Sequence, residues 1–176
     1  PGLARIGAGN SPLRDGLAVD FFGDSITWQN GFVEMIGKSI PAGRNVKLIN
    51  RGINGGGVLQ VRDGSAEGAC PGSSAQKPFA EVIAADKADV AVIYIGINDV
   101  WWRNTAPDIF ERALRDLISS ARAGGTVPVL ATLSVRGELP DGRNPDDPKI
   151  TEYAAITRAV AGDTGTALVD LRSAFV

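Results

Sequence analysis

The chain has 176 residues with 18 Lys and Arg against 20 Asp and Glu, a formal net charge of −2, and no histidine. This length favours one domain with one hydrophobic core, and the near-neutral charge provides no basic field that would collect nucleic acid. No apolar stretch approaches the ~20 residues that span a bilayer, and residues 1–5 lack the features of a signal peptide. We therefore expect a soluble protein with a small-molecule partner, and the compartment stays open between cytoplasm, periplasm and exterior.

Short apolar runs alternate with amphipathic stretches, which is typical of an α/β fold with a parallel sheet between two helix layers. Runs rich in Val, Ile and Leu that are too short for helices predict five strands, and apolar residues at helical spacing predict four crossover helices. In chain order the strands are expected at 17–22, 46–50, 90–95, 127–132 and 167–171. The helices are expected around 32–36, 79–83, 109–118 and 150–160.

Two segments show neither the strand pattern nor the helical spacing of apolar residues. Residues 55–78, rich in Gly and Ser, predict a long irregular loop, which in a compact domain is more often functional than accidental. Residues 136–148 contain three prolines and predict turns. The single cysteine, Cys70, has no partner for an intrachain disulfide and none at metal-ligand spacing, so it is expected to pack quietly or lie in a loop. No metal or organic cofactor is expected.

Polar clusters follow the first three predicted strands: Asp24-Ser25, residues 50–57 and Asn98-Asp99. Open parallel sheets bind ligands at the carboxyl ends of their strands, so these clusters are expected at one edge. A serine between a strand and a helix presents its hydroxyl where the helix terminus favours negative charge, and can attack an ester carbonyl. The backbone amides of Ser25 and Gly55 and the side-chain amide of Asn98 are candidate donors to the resulting oxyanion.

The clusters, in this order, resemble the SGNH or GDSL hydrolase superfamily, whose members have a flavodoxin-like three-layer α/β/α fold. The matching blocks are Gly-Asp-Ser-Ile-Thr at 23–27, Ile-Asn-Arg-Gly-Ile-Asn-Gly at 49–55 and Ile-Gly-Ile-Asn-Asp at 95–99. The resemblance implies that Ser25 is the nucleophile and an oxyanion donor, that Gly55 donates its amide, and that Asn98 donates its side chain. It covers essentially the whole chain and is nearest to bacterial acetylxylan-esterase-like members, whose third block also continues Val-Trp.

The fourth block of the family, an Asp-x-x-His motif that opens the last helix and supplies the general base, has no counterpart in a chain without histidine. Asp170 precedes the position of that block, so the role of the catalytic aspartate is not transferred to it. Two explanations stay open. Residues 1–176 form a single domain that is incomplete at its C-terminal end and lacks its last helix, or the protein is a natural non-enzyme. Loss of triad members slows serine attack by about 10⁴- to 10⁶-fold.

Each candidate residue also has a structural interpretation. Ser25 alone is typical of a helix cap, and Asn98 of a turn. Asp24 either contacts the substrate or holds the turn and its amides, and Asp99 is expected to be structural. The glycines at 55–57 also fit a flexible loop or a phosphate nest, but no Lys-Ser/Thr pair follows them as a nucleotide-binding loop requires.

The three tryptophans all fall within four residues of the candidate nucleophile or the candidate oxyanion asparagine: Trp28, Trp101 and Trp102. Aromatic faces beside a polar site stack on sugar rings, so these side chains are candidate substrate contacts. The alternative is that one or two of them pack under the loops. Three charged residues are candidate rim contacts, with a solvated charge as the alternative for each: Arg62, Asp63 and Arg103.

The sequence thus predicts a serine esterase that removes short acyl groups, acetyl in particular, from a carbohydrate or another small polar ester. A lipase or thioesterase of the same superfamily is one alternative, although the polar loop at 55–78 argues against a long acyl chain. Another is a catalytically inactive module that binds glycans or acylated ligands, which the missing histidine favours; a nucleotide binder is a third. The expected partner is a small ester or acetylated carbohydrate, with neither nucleic acid nor membrane, and the oligomeric state stays open.

Overall fold

The sheet contains the five strands that the sequence predicts, with ends shifted by at most two residues. The computed structural model describes residues 15–65, 75–136, 139–141 and 143–175, so Cys70 lies outside the described residues. The strands are β1 Ala18–Gly23, β2 Lys47–Gly52, β3 Val90–Tyr94, β4 Val127–Ala131 and β5 Ala167–Val169. All pairs are parallel in the order β2-β1-β3-β4-β5. This order confirms the predicted α/β fold with a five-stranded parallel sheet.

Four longer helices correspond to the predicted ones, and four short ones do not. The eight described helices are α1 Ser25–Trp28, α2 Gly31–Ser39, α3 Val58–Asp63, α4 Phe79–Asp86, α5 Ile97–Trp101, α6 Pro107–Ala123, α7 Asp147–Thr164 and α8 Leu171–Phe175. The predicted segments are α2, α4, α6 and α7. None of the helices in the described ranges is long and apolar enough to cross a membrane.

The apolar side of α2 differs from the one that its sequence spacing predicts. That spacing selects Phe32, Met35 and Ile36, but Met35 and Ile36 are 68% and 40% exposed, and Val33 is the buried residue. Val33 packs on β1. A helix of nine residues offers overlapping apolar stripes, and contact with the sheet decides which of them is buried.

Part of the predicted loop at 55–78 is helical, so the expectation of an irregular segment throughout is wrong. Val58 and Val61 are 0% and 2% exposed and bring one side of α3 into the main core. Six residues are too few to show a helical period in the sequence. After α3, Ser65 and Gln76 form an isolated antiparallel bridge.

The two faces of the sheet are covered unequally. On one face Phe22 and Ile93 lie in the same row and join the main core with α3, α4, α6 and α7. On the other face Phe21 packs with α2, whereas Val127 of β4 and Val169 of β5 are 57% and 46% exposed. In the described part of the chain, this second face is therefore partly open over β4 and β5.

A short helix follows β5, where the sequence predicts a strand to Leu171 and no further helix. Asp170 lies at the junction, and its Oδ1 and Oδ2 accept hydrogen bonds from the Ser173 amide at 3.3 Å and hydroxyl at 2.8 Å, as a helix-capping residue does. Arg158 donates to the same carboxylate from Nε and Nη2, which holds the pKa of Asp170 well below its usual range. The capping contacts explain why the strand ends two residues early, and they give Asp170 a structural role.

Candidate active site

The turn between β1 and α1 places Ser25 at the first position of a helix. Gly23 ends β1 with no room for a side chain, because a Cβ would lie 2.1 Å from Thr27 Oγ1. Asp24 is the N-cap, and its Oδ1 accepts a hydrogen bond from the Ile26 amide at 2.9 Å. Ser25 is half-buried, and its amide, like the others of a first helical turn, has no acceptor within the helix.

The Asp24 carboxylate is built into this turn. It is 2% exposed, and burial raises its pKa to about 6; the Ile26 hydrogen bond opposes this shift, and the charge of Asp99 adds to it. This geometry favours the interpretation in which Asp24 holds the turn. A substrate contact by Asp24, which the sequence also suggests, has almost no exposed surface to use.

The end of β2 supports the same turn from the other side. Gly52 packs so closely on the α1 backbone that a Cβ would lie 2.2 Å from the Trp28 nitrogen. Asn50 donates from its side-chain amide to the Thr27 carbonyl oxygen at 2.6 Å and to Asn30 Oδ1 at 2.8 Å. Sequence reasoning gave Asn50 and Gly52 no role, and their place in the second block was the signal available. Together they fix the end of α1 against β2.

The loop after β2 contains an amide that has no acceptor among the described residues. Gly55 has φ +71, a conformation that favours glycine, and within the described part of the chain its N–H donates no hydrogen bond. Its carbonyl oxygen accepts from Arg103, from Nε at 2.9 Å and from Nη2 at 2.7 Å. The next carbonyl oxygen, of Gly56, accepts from Asn98 Nδ2 at 2.8 Å. Within the described ranges the Gly55 N–H thus has no acceptor, as is required of an oxyanion donor.

The turn after β3 supplies Asn98 and Asp99, which are 5% and 1% exposed. The Asn98 contact with Gly56 uses one of the two amide hydrogens, and the second has no acceptor among the described residues. Asp99 accepts from the Val58 amide at 3.2 and 3.0 Å and from Thr105 Oγ1 at 2.6 Å. Burial raises the pKa of Asp99, and these hydrogen bonds oppose the shift. These contacts favour the structural interpretation of Asp99.

The structure brings the three residues predicted to be catalytic to one edge of the sheet. Ser25 follows β1, Gly55 follows β2, Asn98 follows β3, and β1 lies between the other two strands. The Ile53 amide donates to the Gly23 carbonyl oxygen at 2.8 Å, which links the second block to the first. This edge is the switch point at which open α/β sheets bind ligands. The joint action of the three residues on one acyl oxygen remains a proposal.

The three tryptophans are exposed to solvent to similar extents. The exposed fractions are 48% for Trp28, 56% for Trp101 and 44% for Trp102. The guanidinium carbon of Arg136 lies 3.6 Å from the Trp101 ring centroid, and that of Arg103 lies 4.6 Å from the Trp102 centroid, both within cation–π range. Trp101 and Trp102 therefore each have an arginine on one ring face. Substrate contact by the tryptophans stays a prediction.

The three candidate rim charges all have protein partners. Arg62 donates to Asp63 at 2.7 Å and to Asp116 of α6 at 3.0 Å, so this pair ties α3 to α6. Arg103 binds a carbonyl 48 residues away along the chain, a contact with no local sequence signal. Among the described residues, no three His, Cys, Asp or Glu side chains are arranged to hold a metal ion.

Tyr94 and Ser134 are polar residues at this edge that sequence reasoning missed. Their hydroxyl oxygens are 2.8 Å apart, and Tyr94 pairs with Gly23 in the strand register; the sequence signal available for Tyr94 was its place at the end of the strand predicted at 90–95. Burial raises the pKa of Tyr94; the Ser134 hydrogen bond opposes this shift, and the negative charge of Asp24 adds to it. The pair therefore places two neutral hydroxyl groups beside the turn that carries Ser25.

The sequence profile of the GDSL-like Lipase/Acylhydrolase family matches residues 21–176, and the chain belongs to this family. Among curated proteins, acetylxylan esterase from Geobacillus stearothermophilus is 27% identical over 142 residues, which are 74% of this chain and 56% of that protein. The chain thus spans just over half the length of this relative.

Solved structures of acetylxylan esterases share the fold. The acetyl xylan esterase AlAXEase matches with a TM-score of 0.68 and 26% identity, covering 90% of this chain and 79% of its own. Axe2, an acetylxylan esterase from Geobacillus stearothermophilus, matches with a TM-score of 0.70 over 93% of this chain and 80% of its own, and its 22% identity supports the fold alone. These matches confirm the predicted SGNH hydrolase fold and the resemblance to acetylxylan-esterase-like members.

Proposed function

We propose that this chain carries the nucleophile and the oxyanion donors of a serine carboxylic ester hydrolase, which removes short acyl groups, acetyl in particular, from a carbohydrate or another small polar ester. The supporting observation is that Ser25, Gly55 and Asn98 follow three adjacent strands at one edge of the sheet in a chain of the GDSL family. Two backbone amides and one side-chain amide hydrogen form the kind of donor set that stabilises a tetrahedral oxyanion.

The proposed reaction has two steps. In the first, the Ser25 hydroxyl oxygen bonds to the ester carbonyl carbon while its proton passes to a base. The bond to the alcohol then breaks, and the base returns the proton to the alcohol oxygen. In the second step a water molecule attacks the acyl-enzyme, the same base accepts its proton and returns it to Ser25, and the carboxylic acid leaves.

The 176 residues supply no imidazole that could act as the general base. The family resemblance implies a histidine as the base. In the proposed reaction the imidazole therefore belongs to a histidine that is not among these 176 residues. Asp24 is the carboxylate next to the nucleophile, but its Oδ1 already accepts the Ile26 amide hydrogen. A proton accepted by Asp24 would therefore compete with the hydrogen bond by which this carboxylate caps α1.

A polar, acetylated substrate is favoured by the surface close to Ser25 and Asn98 in the chain. The half-exposed rings of Trp28, Trp101 and Trp102 offer faces for stacking on sugars. The names of the relatives, acetylxylan esterase and acetyl xylan esterase, support the same substrate class.

The first test compares p-nitrophenyl acetate hydrolysis by the full-length protein and its Ser25→Ala variant. We expect a loss of about 10⁴- to 10⁶-fold in kcat, because the step has no nucleophile. Ser119→Ala, at an exposed position of α6, is the matched control and should keep the full rate. Equal rates for the wild type and Ser25→Ala would remove Ser25 from the mechanism.

The second test identifies the base. A histidine predicts a rise of kcat/KM with an apparent pKa of about 6.5, and the rise should persist in Asp24→Asn. Disappearance of the rise in this variant, with the helical signal retained, would assign the base to Asp24 instead.

The third test addresses the acyl group. A series of p-nitrophenyl esters from acetyl to palmitoyl, together with acetylated xylo-oligosaccharides, should give the highest kcat/KM for acetyl. A preference for long chains would favour the lipase alternative.

A further inference from the structure

The residues from Asn98 to Arg103 hold the glycine loop after β2 at three successive points. Arg103 binds the Gly55 carbonyl oxygen through Nε and Nη2, Asn98 binds the Gly56 carbonyl oxygen, and Asp99 accepts the Val58 amide hydrogen. Each contact involves a different peptide unit. The loop that contains the proposed Gly55 donor is therefore shaped by side chains that follow β3.

The Arg103 contact differs from the other two because it places a permanent positive charge on the loop. A guanidinium has no accessible neutral form and presents its donors in a fixed fork, and hydrogen bonds with a charged donor are roughly twice as strong as neutral ones. The distances of 2.9 and 2.7 Å are those of two good hydrogen bonds to one oxygen. The carbonyl oxygen that accepts them belongs to the same residue as the Gly55 N–H, which has no acceptor among the residues that the structure describes.

Arg103 is itself held in place from several sides. Its backbone amide donates to the Asn98 carbonyl oxygen at 2.9 Å, and its guanidinium carbon lies 4.6 Å from the Trp102 ring centroid. Its stem passes so close to Gly57 that a Cβ there would lie 2.7 Å from Arg103 Cδ. The guanidinium therefore has one supported position, between the Trp102 ring and the glycine loop.

We propose that Arg103 is a positioning residue of the esterase site: by holding the Gly55 carbonyl group it fixes the peptide unit that follows Gly55 and so limits the rotations that would turn the Gly55 N–H, in the preceding peptide unit, away from the acyl oxygen, and it adds positive charge beside the developing oxyanion. This inference rests on the proposed function, and it assigns to Arg103 a role in the reaction that neither the sequence blocks nor the family match gives it. Gly55 at φ +71 is the residue type with the widest backbone freedom. A donor on such a residue needs external restraints to be preorganised, and the two hydrogen bonds to the carbonyl oxygen supply one by fixing the peptide unit on the C-terminal side of the Gly55 Cα.

Trp102 takes part in this arrangement through its ring face. An aromatic face over a guanidinium stabilises the cation and limits its movement. Removal of the ring is therefore expected to weaken the restraint on Gly55, in addition to any loss of sugar contact. This predicts an effect of Trp102→Ala on kcat even for p-nitrophenyl acetate, a substrate without a sugar.

The central experiment measures kcat and KM of the full-length protein with p-nitrophenyl acetate for Arg103→Met and Arg103→Lys. Arg103→Met should lose about 10- to 100-fold in kcat with little change in KM, because a misplaced donor costs transition-state binding rather than substrate binding. Arg103→Lys keeps the charge without the fork and should lie between Arg103→Met and the wild type. Arg112→Met, which removes an exposed arginine of α6, should keep the full rate.

A rescue experiment separates positioning from a purely structural role. Methylguanidinium added to Arg103→Ala should restore part of the lost kcat and should leave the rate of Arg112→Met unchanged. Equal kcat for Arg103→Met and the wild type would overturn the inference. So would a loss that appears only in KM, or one that follows the loss of helical signal and resists both Arg103→Lys and methylguanidinium.

The outcomes distinguish this inference from the proposed function. If Ser25→Ala is inactive and Arg103→Met is fully active, the esterase proposal stands and the role of Arg103 is lost. If Ser25→Ala is fully active, the esterase proposal itself fails, and the Arg103 inference fails with it.

Discussion

Asn98 Nδ2 donates one hydrogen to the Gly56 carbonyl oxygen at 2.8 Å, so one side chain both braces the glycine loop and keeps a second hydrogen for a ligand. We expect Asn98→Ala to lower kcat with p-nitrophenyl acetate by about 10²- to 10³-fold, as removal of one oxyanion donor does. Asn98→Asp, which keeps the shape but offers no N–H, should lose as much. Near-normal kcat in Asn98→Asp would rule out donation by this side chain.

Gly52 is expected to tolerate no side chain. A Cβ would meet the Trp28 nitrogen at 2.2 Å, so Gly52→Ala should displace α1 and lower the free energy of unfolding by about 1–3 kcal/mol, with loss of activity because Ser25 begins α1. Gly162→Ala, at an open position of α7, is the matched control and should stabilise the protein by about 0.5–1 kcal/mol. Urea denaturation followed by circular dichroism measures both. A Gly52→Ala variant as stable as the wild type would contradict the packing.

Because Asp20 is buried, we expect the free energy of unfolding to fall as the pH rises. Its side chain is 0% exposed on the core face of β1; when Asp20 is ionised neither oxygen has a hydrogen-bond donor in the described part of the chain, whereas a protonated Asp20 can donate to Asp86. Burial and the nearby charge of Asp86 raise its pKa to about 7, and Arg51 and Lys47 oppose the shift. Since an unfolded Asp has a pKa of about 3.9, the folded protein binds the extra proton between these two values. This residue therefore favours folding most at low pH, and its contribution falls as the pH rises to about 7.

The isosteric variant Asp20→Asn isolates this effect. The free energy of unfolding is measured in urea at about pH 5 and about pH 8. From the lower to the higher pH it should fall less in Asp20→Asn than in the wild type, because the amide never has to ionise. Asp108→Asn, which changes an exposed carboxylate of α6, should leave the difference between the two pH values as in the wild type. Parallel behaviour of Asp20→Asn and the wild type would show that Asp20 does not titrate in this range.

Trp28 should affect sugar binding rather than the acyl chemistry. Its ring is 48% exposed at the end of the helix that Ser25 begins, so Trp28→Ala is expected to raise KM for an acetylated xylo-oligosaccharide several-fold through lost stacking. Its kcat and KM for p-nitrophenyl acetate should stay close to those of the wild type. Equal KM values for the oligosaccharide in variant and wild type would exclude this ring from the binding surface.

The strands and the longer helices could be predicted because their patterns extend over enough residues. Ile93 of β3 and the spaced leucines of α6 are buried, and Val90 and Val92 of β3 are partly buried. Val58 and Val61 could not be assigned to a helix, because two apolar residues three apart within six positions also fit a loop. Leu171 was likewise predicted to continue the fifth strand, because a single apolar residue fits a strand as well as a short helix. In the structure the Asp170 contacts with Ser173 cap a helix that begins at Leu171.

The strand ends that carry the candidate site could be located from order alone, since each block follows a predicted strand. The contacts that shape the site could not. Arg103 and Gly55 are 48 residues apart, and Asn50 reaches Thr27 across 23. Such contacts depend on how the strands are ordered in space, whereas sequence spacing reports only on neighbours within one element.

The hydrogen bonds from residues 98–103 to the glycine loop limit how this site can be engineered. Because three consecutive peptide units of the loop are matched to three side chains after β3, the two segments form one module. A graft that imports residues 53–58 from a homologue without the corresponding 98–103 would separate carbonyl groups from their donors. Chimeras intended to change acyl preference should therefore exchange both segments as a pair.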